Sequence, residues 1–181
     1  RDLVRSRGLG DVYKRQQNDT YLVLDVAGVD MALPMAAVAE ILPVTRFERQ
    51  APWPKVLAGF MNLRGRPLAV IDLARVMDPQ REPSKPDLYS HVIRLGAAHG
   101  GGDLALLADR ARDAEVMADD FTEVDDDASA NGVIGGNLLI LGRLTPLIDV
   151  DRLLLLEEEV RLAEIAETLR TRLEASGHGA P

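Results

Sequence analysis

Asn62-Leu63-Arg64-Gly65-Arg66-Pro67-Leu68-Ala69-Val70-Ile71-Asp72-Leu73 decides how this chain is read, because a second version follows 77 residues later. That version is Gly142-Arg143-Leu144-Thr145-Pro146-Leu147-Ile148-Asp149-Val150. Gly65 aligns with Gly142, Arg66 with Arg143, Ile71 with Ile148, Asp72 with Asp149 and Arg75 with Arg152. Self-similarity at a fixed offset signals one structural unit used twice. Leu57 to Leu63 and Pro67 to Ile71 read as a hairpin about Arg64-Gly65-Arg66, with Gly65 where the turn needs a positive φ. Asp72 is placed to cap a helical turn running through Met77.

Upstream, Thr20 to Val26 alternates as a strand, with Leu22, Leu24 and Val26 on one face and Tyr21, Val23 and Asp25 on the other. Ala27-Gly28-Val29-Asp30 supplies a turn and Met31 to Pro34 the return strand. Met35 to Leu42 fits either a short helix or an irregular edge strand, and the helix propensity of Ala36, Ala37 and Ala39 tips the balance weakly to helix. Pro43, Pro52 and Pro54 impose an extended crossing segment.

Asp78 to Asp87, with Pro79, Pro83 and Pro86 among charges, is the best linker in the chain. The pattern then restarts: Tyr89 to Leu95 as a strand, Gly96 to Gly102 as a loop, Leu104 to Ala108 as the return. Asp103-Leu-Ala-Leu echoes Asp30-Met-Ala-Leu at an offset of 73. Asp119 to Asn131 reads as an acidic loop, and Leu138 to Ile148 as the second late hairpin. The reading is therefore mainly β, with repeat units at about 20–78 and 88–151. Short strands parted by Gly and Pro favour small barrels, which remove exposed edges. A C-terminal helix follows over 157–176, with Val160, Ile165, Leu169 and Leu173 on one face, and then a tail, 177–181.

With 181 residues the chain suits one domain, or two small subdomains sharing a core. Hydrophobic residues make up 46% and only seven are aromatic, so that core is aliphatic. There is no cysteine, which excludes disulfides and thiolate chemistry. Residues 1–16 carry five basic and two acidic residues and resemble translated adapter sequence; they are set aside as a non-native leader. The formal net charge is −8, and without that leader the body is three charges more acidic, at −11. Such a body repels phosphates and argues against nucleic acid as a partner. No apolar run reaches the roughly 18 to 20 residues needed to cross a bilayer, so the expectation is a cytoplasmic protein without membrane insertion.

Catalytic signatures fail one by one. His99-Gly100-Gly101-Gly102 matches an esterase oxyanion motif, but no Gly-x-Ser-x-Gly accompanies it and none of the five serines sits in a strand-turn-helix setting. The run Asp119 to Asp127 lacks the ligand spacing and glycine of a calcium loop. The three histidines, His91, His99 and His178, are scattered. Gly132-Val-Ile-Gly135-Gly136 has no following lysine and is no phosphate loop. The expectation is a protein with no catalytic residues, no cofactor and no metal.

The differences between the copies point to function. Asn62 corresponds to Leu139 and Arg64 to Leu141, while at the other offset Glu40 corresponds to Asp113, Val38 to Ala111 and Ile41 to Ala114. One explanation is that one hairpin is wet and the other buried within the fold. The other is that the first unit presents Val38, Glu40, Ile41 and Arg64 as a mixed binding surface, with an apolar centre and orienting charges. An exposed Glu40–Arg64 pair would add only ~0–1 kcal/mol to stability, so its role would be selectivity.

At these residues the chain resembles the CheW family of chemotaxis coupling proteins. The landmarks are Tyr21-Leu-Val-Leu, Ala32-Leu33-Pro34, Val38-Ala-Glu40-Ile41-Leu42, Gly59-Phe-Met-Asn62-Leu-Arg64-Gly65 and Val70-Ile-Asp72-Leu73, then Ala108-Asp109-Arg110 and Gly142 to Val150. The resemblance implies a non-enzymatic adaptor of two interleaved five-stranded barrels within 17–156, bridging the cytoplasmic tips of chemoreceptors to the regulatory domain of a CheA-type histidine kinase. It places the receptor contact at Glu40 and Arg64, with Val38, Ile41, Asn62 and Gly65 beside them. The kinase contact is implied at barrel ends without assignment to residues. Pro67 and Ala69 depart from the family pattern, whose usual proline falls at Ala69; the second copy keeps it as Pro146. Self-association, or service in a pilus or other signalling pathway, is the alternative.

Overall fold

Arg64-Gly65 and Leu141-Gly142 occupy matching hairpin tips in the computed structural model, and all four have positive φ, at 53°, 85°, 50° and 74°. A two-residue turn of this hand suits the right-handed twist of the strands it joins. The structure describes residues 20–47, 53–98, 103–122, 132–153 and 156–177. The leader, the loop over 99–102, the acidic stretch over 123–131, Pro52, His178 and the rest of the tail lie outside them.

Eleven strands are described: β1 (Thr20–Val26), β2 (Val29–Pro34), β3 (Val38–Pro43), β4 (Leu57–Leu63), β5 (Arg66–Asp72), β6 (His91–Leu95), β7 (Leu104–Ala108), β8 (Arg110–Met117), β9 (Asp120–Thr122), β10 (Ile134–Ile140) and β11 (Arg143–Ile148). Two helices join them, α1 (Leu73–Met77) and α2 (Leu156–Gly177). One sheet has the order β8-β1-β2-β11-β10-β9 and the other β3-β6-β7-β5-β4.

The repeat is interlaced. Each sheet combines the early hairpin of one unit with the late hairpin and the third strand of the other. Both offsets hold at single-residue level. The parallel pair Ala32↔Leu147 joins β2 to β11, and its counterpart Ala105↔Val70 joins β7 to β5. The bulge at Leu57/Gly59 recurs at Ile134/Gly136. The amide of Asp72 donates to the Val56 carbonyl at 2.8 Å, as that of Asp149 does to Val133 at 2.7 Å.

Both faces of each sheet are buried, which explains why β1 alternates between two apolar sets rather than between apolar and polar. Leu22, Leu24 and Val26 join Leu57, Phe60, Ile71, Ile93 and Leu106 in a core between the sheets. Tyr21 and Val23 turn the other way, onto Leu138, Ile140 and Leu147 inside the first sheet. Met61, Leu68, Val70, Val92, Ala105 and Leu107 form the matching interior of the second, where Leu42 from β3 and Leu63 from β4 also pack. Each sheet thus wraps around a private core and shares a third.

Three expectations change. Met35–Ala37 is a single 3-10 turn and Val38–Pro43 a strand, because pairing with β6 outweighs the weak helix propensity of three alanines. The first sheet has six strands rather than five: Asp120–Thr122, read as acidic loop, pairs with β10, and Phe121 lies where any Cβ on Gly136 would collide with it. Asp72 precedes α1 without a side-chain capping bond. Its buried carboxylate instead accepts from the Ser84 amide and hydroxyl, both at 2.8 Å, and pins the proline-rich linker. The capping role survives in the second copy, where Asp149 accepts from the amides of Asp151 and Arg152.

Candidate functional site

The six residues singled out by the differences between the copies fall on two features of the five-stranded sheet. Val38, Glu40 and Ile41 lie on β3, at one end of the strand order, and Asn62, Arg64 and Gly65 at the β4–β5 turn near the other. Leu42 and Leu63 pack on the same interior cluster, so the curl of the sheet brings these outer strands around one core. No hydrogen bond or ion pair joins the two groups among the described residues.

On β3 a register shift between Val38 and Glu40 sorts the side chains. Val38 stands opposite Leu95 and Ile41 opposite Ile93, partners that both belong to the core between the sheets. The bulge therefore gives Val38 and Ile41 a common side, which a regular strand would deny to residues three apart. Val38 packs against that core while Ile41 stays 38% exposed. Glu40 faces the other way, opposite Arg94, whose Nε donates to its carboxylate at 3.4 Å. Glu40 thus pairs with Arg94 and not with Arg64.

The turn is built by its own residues. Asn62 Oδ1 accepts from the Gly65 amide at 2.7 Å, closing a local ring across the tip. Arg64 occupies the left-handed region at φ 53°, costly for a residue with a Cβ, and its exposed guanidinium makes no ion pair among the described residues. Beside it, Arg66 is held by Asp103 at 2.7 Å. The second copy has no such brace, since Leu139 replaces Asn62. Its tip is not buried either: Leu141 is 77% exposed and Leu144 71%. The difference between hairpins is therefore not one of wet against buried; one tip is ionic and the other apolar.

A charge network that sequence reading missed closes the far end of the first sheet. Arg112 on β8 donates to Asp25 at 2.7 Å and contacts Asp30 at 3.1 Å, and Arg143 reaches Asp30 at 3.3 Å. Asp25 also accepts from the Gly28 amide at 2.9 Å, and Asp109 from that of Ala27 at 2.7 Å. The Arg112 hydrogen bond holds the Asp25 carboxyl below its ordinary pKa against the opposing effect of burial, with Gly28 and the charges of Arg112 and Arg110 adding to it. These groups knot a hairpin to its neighbours. The sequence signals were the alignments of Asp30 with Asp103 and of Arg143 with Arg66; the pair Arg66–Asp103 repeats Arg143–Asp30, while Arg112 had no such signal.

Among the described residues no group of three His, Asp or Glu side chains is arranged to hold a metal ion. No described helix is long and apolar enough to cross a membrane. What the surface offers is an exposed cation, an exposed aliphatic residue and a tethered acid, the materials of a protein contact.

The CheW-like domain family matches residues 20–158. Among solved structures, the scaffolding protein TtCheW from Thermoanaerobacter tengcongensis superposes with a TM-score of 0.67 at 16% identity, over 78% of this chain and 90% of that one. At that identity the likeness speaks for the fold. No curated protein matches the sequence.

Proposed function

Because the chain belongs to the CheW-like domain family, we propose that it is a non-enzymatic adaptor coupling chemoreceptors to a CheA-type histidine kinase in a signalling array on the inner face of the membrane. In this reading Val38, Glu40, Ile41, Asn62, Arg64 and Gly65 make the receptor contact. The observation that carries the assignment is Arg64: a cation displayed at a strained tip, braced by Asn62 and left without an ionic partner among the described residues. Leu141 has the same left-handed conformation at the equivalent tip, so the strain belongs to the turn; what sets Arg64 apart is a solvent-facing charge without an ion pair among the described residues, the kind of group that orients a partner. Ile41 supplies an apolar anchor, and Glu40, oriented by Arg94, supplies selectivity more than affinity. The test is co-purification of the protein with a receptor signalling fragment and a kinase regulatory domain, with wild type set against Arg64→Glu.

The alternative is a divergent regulator that self-associates or serves a pilus or other pathway, and it draws on the exposed pair Leu141 and Leu144. Sedimentation of the purified protein separates the two. A monomer supports the adaptor, and a stable oligomer without partners supports self-association.

A further inference from the structure

The interlaced repeat gives the molecule two equivalent grooves, one on each sheet, and they are not in the same state. On the five-stranded sheet α2 lies across β5. Its Leu169, with Ile165 and Ala166 beside it, joins the core that contains Leu57, Phe60, Ala69 and Leu104. The two offsets, 77 for the late hairpin and 73 for the early one, carry those four residues onto Ile134, Asn137, Pro146 and Met31. These four line an open groove of about 450 Å³, together with Val26 and Val29 from the β1–β2 hairpin and Ala74 and Met77 from α1. The chain's own helix lies on β5 beside the first set; in the second set Met31 and Ile134 are already buried, while Asn137 and Pro146 stay partly exposed and Val29 is open to solvent.

The chemistry of the open groove matches that precedent with two changes. Its floor is aliphatic, like the covered one, but Asn137 replaces Phe60 and brings an amide into it. At the rim stands Arg81, exposed and without an ion pair among the described residues, with Asp78 nearby. A volume of this size holds a few aliphatic side chains, the number that one face of a helix presents at positions i, i+3, i+4 and i+7. None of the six receptor-contact candidates lines it.

We propose that this groove receives an amphipathic α-helix from a partner protein. The helix lays three or four aliphatic side chains over Val29, Met77 and Pro146, above the buried Met31 and Ile134, places an amide or hydroxyl against Asn137, and sets a carboxylate at Arg81. The occupant is a helix rather than an extended strand because the equivalent groove in the same chain is closed by one. The proposal stands independently of which receptor or kinase the adaptor serves.

A synthetic peptide with the sequence of α2, Leu156–Gly177, is a suitable probe, since its Ile165, Ala166 and Leu169 face is flanked by Glu164 and Glu167. Labelled with a fluorophore, it is titrated with the full-length protein and followed by anisotropy, with the methionine methyl resonances recorded in parallel. Saturable binding is expected, with shifts at Met31 and Met77, and with affinity falling at least tenfold in Val29→Glu and in Arg81→Glu. Both positions are exposed, Val29 by 53%, so these variants keep the fold. Arg64→Glu is expected to bind the peptide as wild type does. No saturable binding, binding unchanged in both groove variants, or binding that displaces the resident helix without shifting Met31 and Met77 would each overturn the proposal.

Discussion

Asn62 and Gly65 are joined by a 2.7 Å hydrogen bond from the Gly65 amide to the Asn62 side chain, and Arg64 stands between them with φ at 53°. The bond stabilises a tip whose backbone is otherwise strained. Leu141 adopts the same conformation at the equivalent tip, so the strain comes with the two-residue turn, and the charge is what the first tip adds.

The first prediction separates the brace from the charge. Asn62→Leu installs the residue of the second copy and removes one exposed hydrogen bond, at a cost of about 0.5–1.5 kcal/mol in denaturant unfolding. Arg64→Gly relieves the left-handed strain but frees the unfolded chain, so stability changes by less than about 1 kcal/mol. Both variants lose receptor binding. If Arg64→Gly binds normally, the charge is not what the partner reads.

Glu40 and Arg94 form a partly exposed pair on adjacent strands. Such pairs contribute about 0–1 kcal/mol, so Glu40→Gln leaves the melting temperature within a few degrees of wild type. A pull-down with a receptor fragment is expected to weaken by more than that loss of stability explains. Equal, small changes in both measurements would assign Glu40 to the fold alone.

The Asp25 carboxyl sits below its ordinary pKa of 3.8 in the folded protein. A depressed folded pKa adds stability at pH above that unfolded value, and the gain is lost as pH falls through the folded one. Unfolding curves of wild type and Asp25→Asn should therefore stand apart at pH 6 and converge below about pH 3.8. A gap that does not depend on pH would mean the carboxylate is not held by Arg112.

Asp72 and Arg75 repeat Asp149 and Arg152 in sequence but not in pairing. Arg152 lies 3.6 Å from Asp149, whereas Asp72 is taken by Ser84 and the buried Arg75 Nε has no hydrogen-bond partner. A buried donor left without a partner costs stability, and Arg75 leaves its Nε in that state, so Arg75→Met, an apolar side chain of similar reach, should unfold at the same or higher denaturant concentration. Ser84→Ala removes the hydroxyl bond to the buried Asp72 carboxylate while keeping the amide bond, and should cost about 1–3 kcal/mol. The opposite order would show that Arg75, not Ser84, is the partner of Asp72.

Much of this was legible in the chain itself. The alternation of Thr20 to Val26, the turn glycines Gly65 and Gly142 and the two offsets located most strands and the repeat. Other features rest on contacts between distant residues. Val38 to Pro43 became a strand because β6, some 50 residues away, offered an edge, and local alanines cannot report that. The offsets alone do not fix how the hairpins are shared between the sheets, since either arrangement satisfies the same pattern; the interleaving was implied by the family resemblance. At the site, the contrast between Asn62-Arg64 and Leu139-Leu141 was visible, and the brace to Gly65 could have been read from an Asx turn. Arg94 as the partner of Glu40, and the bulge that gives Val38 and Ile41 a common side, needed the register of β3 on β6.

Arg64 is expected to serve a partner and not the fold. The most direct measurement is the affinity of Arg64→Glu for a receptor signalling fragment, by titration calorimetry, beside its thermal unfolding. Binding is expected to weaken at least tenfold, with the unfolding midpoint unchanged within a few degrees. Binding equal to wild type, or a variant that fails to fold, would contradict it.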